Sequence, residues 1–500
     1  MKKELILLAF LGTLLSFYQC QKVQIENLNE PNTVSALTGE YVETLVNETS
    51  TNMLKHIIGF TGIYPNLMSD QTTTTNGYKD FVSFSDQPRR EIQNTSLNND
   101  IDFSYGKDWK RFNNFIFSAN LAIDFIEHKR EKIIINGVNK SQEVLATSYF
   151  IKGLSQGYLA LLFDKSYIIN PDTDVVRLQF SSYVDVSKEA VKNIERSINI
   201  ANISNDYKYF IYKGYSLRKE EFERVANSFM AKIIINTPRN KQEGSNTDYV
   251  KVLELANKGI IDDFNPKTNG GMQFYNEMQD WSTYQITNRG GYLPVDFKVI
   301  NLLDNAHPKD FPSQQGVIPE PFVSSDPRKE YFEYHNVFWW HIFSPGNINR
   351  SLVSNYTNVR FFSDNDRGTL AGLSTDIFHV EELDYIKAEA ALRVYGASSA
   401  ADILNASARF TKGTKVTQPT AVDVEKALFY EYSIELDLAT TIGTQWFFMR
   451  RYDLLQKGTP LSYPVPIEEL SFRGNDMYTF GGENNSGKIG TASGDNSWKN

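Results

Sequence analysis

Apolar residues recur at spacings of three and four along most of this chain, the period of helices that lie with one face on a core. Val34, Leu37, Tyr41, Leu45 and Val46 share one stripe, and Met53, Leu54, Ile57 and Ile58 share another. Helical spacing resumes at Trp109, with Phe112, Phe115, Ile116, Ala119, Ile123 and Ile126. A partner over about 142–163 carries Leu145, Tyr149, Leu154, Tyr158, Leu161 and Leu162. The same period predicts helices over 187–201, 220–235, 249–260, 380–395, 400–410 and 422–438. Neighbouring amphipathic helices joined by modest loops predict a mostly α fold. Its scaffold is expected to be stacked, tetratricopeptide-like hairpins, degenerate because no strict repeat consensus is visible.

Breaks in the period are as informative as the period. Residues 69–108 form a loop insertion, with Thr72 to Thr75, Asn76, Gly77, Pro88 and Asn98-Asn99-Asp100 in succession. Loops of that length inside a compact domain are usually functional or disordered. Over 262–365, Pro266, Gly270-Gly271, Gly290-Gly291, Pro294, Pro308, Pro312, Pro319, Pro321, Pro327 and Pro345 exclude long helices. That stretch is also rich in aromatic residues and reads as an irregular region resting on the helical scaffold of 34–261 and 366–480. Residues 481–500 are Gly-, Ser- and Asn-rich and are expected to form a flexible tail.

The amino terminus is a secretory signal in pattern. Lys2 and Lys3 precede an almost wholly apolar run from Leu5 to Tyr18, shorter than the roughly 20 residues a membrane span needs but suited to a signal core. The only cysteine of the 500-residue chain, Cys20, follows directly. A lone cysteine there is poorly explained as a disulfide partner and well explained as a lipidation site after cleavage of 1–19, although Tyr18 and Gln19 stand where such a site prefers small residues. Residues 20–33, polar and carrying Pro31, are then a tether.

A formal charge of −9 argues against nucleic acid and against electrostatic binding to anionic lipid. With 27 Tyr, 33 Phe and 6 Trp, the chain has aromatics enough for both a core and stacking surfaces.

The block VEKALFYEYSIELDLATTIGTQWFFMRRYDLL, followed by PVPIEEL, resembles the carboxy-terminal signature of the SusD/RagB family. Glu431, Glu435 and Leu436 fill its first part, Gly443, Trp446 and Arg450 its second, and Pro464, Pro466, Ile467, Glu469 and Leu470 its third. Tyr432, Gln445 and Phe448 depart from the pattern, where arginine, arginine and aspartate are usual. Leu28-Asn29-Glu30-Pro31-Asn32, Trp109-Lys110-Arg111-Phe112 with Ala119-Asn120, Asp326-Pro327-Arg328, and Ala388-Glu389-Ala390 with Leu404-Asn405 are similar to other family segments and stand in the family's order. The resemblance implies an outer-membrane lipoprotein facing the cell exterior, anchored through Cys20. It would capture glycan, or in the alternative peptide, and deliver it to a TonB-dependent barrel transporter of SusC/RagA type, binding without catalysis.

Sugars present flat C–H faces rimmed by hydroxyls, so a site needs aromatic planes beside amide, carboxylate or guanidinium groups. Trp281, Tyr284, Asn288, Arg289 and Tyr292 offer that mixture in the irregular region, and Trp339-Trp340, near His335 and His341, offer a second. The early loop adds Asp70, Gln71, Asn76 and Tyr78. The plainer reading of Phe338-Trp339-Trp340 is core. Glu431 and Glu435, one helical turn apart, raise the possibility of an exported glycoside hydrolase. Their stripe also carries Val424, Ala427, Leu428 and Leu438, which favours structural hydrogen bonds to Arg450, Arg451 or helix N-termini over an open catalytic pair. The six histidines include no HExxH or other i, i+4 ligand pair, and 364–368 reads as a turn rather than a calcium loop. No metal and no cofactor is expected.

Overall fold

The computed structural model describes residues 37–59, 62–74, 81–99, 104–204, 206–212, 215–265, 293–311, 318–336, 354–360, 376–407, 415–417, 419–439 and 441–498. Its helices are α1 Gly39–Ile57, α2 Ile63–Met68, α3 Phe81–Ser85, α4 Ser96–Asn99, α5 Tyr105–Ile123, α6 Ser141–Leu162, α7 Tyr183–Ile203 and α8 Lys219–Asn236. They continue with α9 Lys241–Gly244, α10 Tyr249–Asn257, α11 Phe297–Leu303, α12 Val380–Val394, α13 Ala397–Ala406, α14 Ala421–Ile434, α15 Thr444–Arg451 and α16 Ile467–Phe472. Among the described residues, strands are confined to four antiparallel pairs: β1 Ile134–Ile135 with β2 Val138–Asn139, β3 Lys165–Ser166 with β4 Ser181–Ser182, β5 Lys208–Tyr212 with β6 Tyr215–Arg218, and β7 Phe332–Tyr334 with β8 Tyr356–Asn358.

The mostly α scaffold is therefore as expected, and its hairpins are visible: α5 packs on α6, α6 on α7, α7 on α8, α8 on α10 and α12 on α13. Starts follow local chemistry. The Ser104 hydroxyl accepts from the Lys107 amide, so α5 begins at Tyr105 and not at Trp109. Ser182 caps α7 in the same way, and Thr420 with Asp423 forms a capping box on α14. Gly396, at φ 92°, makes the turn between α12 and α13. Among the described residues of the proline-rich stretch, α11 is a short helix of seven residues, placed after Pro294 and capped by Asp296. Among the described residues, no helix is long and apolar enough to cross a membrane.

Helix α6 is the axis of the scaffold. Only Gln142 and Glu143 of its 22 residues escape burial, so it is enclosed on every side instead of along one stripe. It also ends inside the protein, where its last carbonyls need donors. Arg239, just beyond α8, donates to the carbonyls of Ala160, Leu161 and Phe163. Arg450 of α15 donates to Leu161 O at 2.8 Å and also to Leu461 O and Asn236 O. The Tyr463 amide takes Leu162 O at 2.7 Å. Every carbonyl from 160 to 163 is satisfied.

The carboxy-terminal tail departs from expectation. Residues 481–498 are not a loose end but a folded strap. Gly458 N donates to Ala492 O, Leu461 N to Gly490 O and Ile92 N to Phe480 O, and Trp498 is buried. The glycines that suggested flexibility, including Gly481, Gly482, Gly487, Gly490 and Gly494, adopt left-handed backbone that lets the strap turn repeatedly while staying packed.

Two glycines set how closely neighbours approach α6. A Cβ on Gly153 would lie 2.6 Å from Ile194 Cγ1, 2.8 Å from Ala190 O and 2.9 Å from Ile194 N of α7. On Gly157 it would meet only side-chain atoms within 3 Å, Cδ1 and Cγ1 of Ile233. Gly153→Ala is expected to destabilise by about 2 kcal/mol, because backbone must move and the ~1 kcal/mol helix-propensity gain does not compensate. Gly157→Ala should cost clearly less, since the Ile233 side chain can rotate. Thermal melts of both variants check this; equal shifts would refute it.

Candidate functional site

The two regions singled out in the sequence, the early loop and the irregular stretch, are joined by backbone pairing. Thr72 bridges Val295, Thr73 N donates to Pro294 O at 2.8 Å, and Asp296 N donates to Gln71 O at 3.1 Å. Val295 N in turn donates to Tyr356 O, adding β8 to the junction. The chain reverses into this pairing at Asp70, a non-glycine residue at φ 54°. Its carboxylate is fixed from both sides: Arg89 Nη2 donates to Oδ1 at 2.5 Å and Trp498 Nε1 to Oδ2 at 3.1 Å.

This junction is polar although buried. Residues 69–74 are all buried, as are Asp296 and Lys298. Burial pushes the Asp296 carboxyl up to about 6, against the opposing pull of Lys298, whose Nζ is 3.4 Å away. Neither polar atom of the Gln71 amide, nor the Thr72 hydroxyl, has a hydrogen-bond partner among the described residues. Buried amides without partners are uncommon, so this junction keeps hydrogen-bonding capacity that the described residues leave unused.

Of the residues named from sequence, Asp70 and Gln71 are placed here. The Asp70 carboxylate serves the junction itself, held by Arg89 and Trp498. Trp281, Tyr284, Asn288, Arg289, Tyr292, Trp339, Trp340, Tyr78 and Cys20 lie outside the described residues, as do Asn76, His341 and the turn at 364–368. Leu293 directly follows Tyr292 in the chain, and residues 335–336 directly precede 337–340. The described aromatics of the irregular region are core or pack against it, with Phe311, Phe322, Tyr331 and Tyr334 only partly buried. Tyr356, fully buried, packs with Phe297, His307, Phe322 and Tyr334, and its hydroxyl lies 3.1 Å from His307 Nε2. Sequence reasoning missed Arg89 and Trp498. The first had no pattern to mark it, and the second stood in a tail whose composition suggested disorder.

Glu431 and Glu435 have the structural role expected, with different partners. Arg328, not Arg450 or Arg451, meets Glu431 through both Nη atoms and approaches Glu435 at 3.4 Å; Arg360 reaches Glu435 at 2.8 Å. Arg328 also holds Asp326, and Tyr385 donates to Glu431. Arg451 pairs instead with Glu389 in a bidentate contact of 3.0 and 2.6 Å. The reason is distance along α14: Arg328 and Arg360 come from the irregular region packed on that helix, and Arg450 is committed to the end of α6. Both glutamates are fully buried and face guanidinium groups, which is unlike a pair of carboxyls flanking an open cleft.

A histidine cluster lies alongside. Asp263, Asp376 and His379 bring ligand-type atoms within 4.8 Å of one another; Asp376 and His379 are three residues apart, but Asp263 comes from a distant segment that no spacing rule links to them. His379 Nδ1 is 2.6 Å from Asp263 and 3.1 Å from Glu381, Nε2 is 3.7 Å from Asp376, and the Arg360 guanidinium is 3.4 Å from Nε2. Burial by itself would lower the imidazole pKa, but the carboxylates of Asp263, Glu381 and Asp376 raise it to about 9. The imidazolium and the guanidinium supply the positive charge these carboxylates require.

No protein-family model matches the sequence, and no curated protein matches it. Solved structures do match its fold. A SusD superfamily protein from Parabacteroides distasonis superposes with a TM-score of 0.62 at 14% identity, covering 89% of this chain and 99% of that one. A SusD superfamily protein from Bacteroides vulgatus gives 0.55 at 14% identity, over 83% and 88%. A SusD-like carbohydrate-binding protein from the same species gives 0.52 at 13% identity, over 85% of each chain. The fold is the SusD fold.

The His379 cluster sets a pH dependence with a definite sign. Its folded-state pKa is raised from 6.5 to about 9, so its contribution is complete below pH 6.5 and is lost as pH rises through about 9. His379→Gln is expected to lower stability by on the order of 3 kcal/mol at pH 6 and by much less at pH 9.5. Denaturant midpoints across this range test it; a loss that is the same at both ends would rule out the charged imidazole.

Proposed function

We propose that this chain is a SusD/RagB-type lipoprotein of the outer membrane that captures glycan at the cell surface. The observation that carries the reading is the shared fold, which extends over nearly the full length of the P. distasonis structure and 89% of this chain. One of the structures sharing it is a carbohydrate-binding protein. The carboxy-terminal signature supports the same assignment: Glu431, Glu435, Trp446 and Arg450 are all buried at joints of the scaffold. In this reading Cys20 carries the anchor, the chain docks on a TonB-dependent barrel of SusC/RagA type, and bound glycan passes to that transporter. Ligand is held by stacking on Trp281, Tyr284, Tyr292, Trp339, Trp340 and Tyr78, with Asn288 and Arg289 at the rim. In this proposal Asp70 and the junction it holds form the floor of the ligand site. In this reading the chain binds without catalysis; its paired glutamates, locked in ion pairs, are not an open catalytic pair.

Isothermal titration tests the proposal, using protein that begins after Cys20 against oligosaccharide pools from starch, xylan, mixed-linkage β-glucan and pectin, with a mixed peptide pool alongside. Saturable heat is expected from one glycan pool. Trp281→Ala or Trp340→Ala should weaken it by about 1–3 kcal/mol, the scale of one lost stacking surface, with unchanged melting temperature. Heat from peptides alone would replace glycan by peptide as the cargo.

A further inference from the structure

We propose that Trp498, in the carboxy-terminal strap, is a positioning residue for the candidate site, setting the Asp70 carboxylate and through it the 69–74 segment. This rests on the assignment of the 69–74 and 293–298 junction as the floor of the ligand site.

Trp498 is anchored by every polar group it has on the main chain and the ring. Its amide donates to Leu454 O at 3.0 Å, its carbonyl accepts from Lys309 Nζ at 2.7 Å, and its indole N–H donates to Asp70 Oδ2 at 3.1 Å. The ring meets Phe429 of α14 edge to face, with centroids 5.3 Å apart. One side chain thus touches the early loop and α14, and its backbone holds Lys309 of the irregular region and the turn after α15. The residue itself is at φ 46°, a conformation that a bulky side chain adopts only where surrounding contacts hold it.

The consequence falls on Asp70. Its left-handed backbone directs Gln71 O toward Asp296 N and Thr73 N toward Pro294 O. Arg89 fixes one carboxylate oxygen while itself donating to Phe84 O and Thr459 Oγ1. Trp498 fixes the other oxygen. With both oxygens held the carboxylate cannot rotate, and the segment bearing Gln71 is held in one register against 293–296. With the indole N–H removed, Arg89 alone remains, and the carboxylate can turn about that contact.

Hydrogen exchange of the intact protein tests this with Trp498→Phe, which keeps the ring on Phe429 and removes only the N–H. Exchange at the amides of Gln71, Thr73 and Asp296 is expected to accelerate about tenfold, the scale of one hydrogen bond to a charged acceptor, with α6 unchanged. In an Asp70→Asn background the same substitution should have less than half that effect, because its path through the carboxylate is gone. Affinity for whichever oligosaccharide pool titrates with the wild type should weaken in parallel, and Trp498→Ala should weaken it more. Unchanged exchange at the three amides, acceleration spread equally over α6, or an undiminished effect in the Asp70→Asn background would each overturn the proposal. If no pool binds the wild type, the reading as a glycan receptor fails, and the exchange pattern still decides whether Trp498 positions the loop.

Discussion

A helix buried on all sides must terminate inside the protein, and the way α6 terminates organises the rest of the molecule. Its final carbonyls concentrate partial negative charge in a place water does not reach. Two guanidinium groups and one backbone amide supply the donors: Arg239, Arg450 and Tyr463. These three residues come from the end of α8, from α15 and from the segment before α16. Satisfying α6 therefore dictates where the second half of the chain returns to the first. Arg450 reaches Asn236 O and Leu461 O from the same position, and its guanidinium stacks over Trp446 and Phe447. The neighbouring Arg451 carries the joint on to α12 through Glu389.

From α12 and α14 a series of buried ion pairs extends to the irregular region. Lys232 meets Glu382 at 2.7 Å, Arg328 meets Glu431 and Asp326, and Arg360 meets Glu435. Pairs of this kind recover little net stability, because desolvation consumes most of the Coulombic gain. Their effect is discriminating: a segment displaced by one residue would leave a charge buried and unpaired, at a cost of about 3–5 kcal/mol. That penalty suits a region whose prolines and glycines give it little regular secondary structure to fix its own register. The buried Asp437 belongs to the same joint. It accepts from Asn358 at 2.7 Å, and burial pushes its carboxyl up to about 7, so even β8 is tied to the loop after α14 through a polar contact.

The sequence made the scaffold readable because each long helix carries its own period and cap signals, and those are local. The structural role of Glu431 and Glu435 was readable for the same reason: their stripe is otherwise apolar. Their partners were not, since Arg328 and Arg360 lie 103 and 75 residues away along the chain and nothing local marks them. The early loop and the irregular region could each be singled out, but their pairing through Thr72 and Val295 is a tertiary fact. The tail misled because glycine-rich composition is shared by disordered segments and by straps that turn often. Only the buried Trp498 distinguishes the two cases, and one tryptophan in a polar stretch has no period to give it away.

The proposed role of a surface receptor asks a protein to hold a varied, hydrated ligand without becoming soft, and the arrangement here would separate the two demands. Rigidity is concentrated in α6 and the helices wrapped on it, where close contacts at Gly153 leave no room for slack. The loops to which the proposal gives recognition are fixed to the scaffold at a few points: the Thr72–Val295 bridge, the ion pairs of Arg328 and Arg360, and the contact between Trp498 and Asp70. Between such points a loop can change its aromatic and amide residues with little effect on the core. The fold can then persist at 14% identity to the P. distasonis structure, because what it needs is a buried helix end correctly satisfied and loops tied down at the right places.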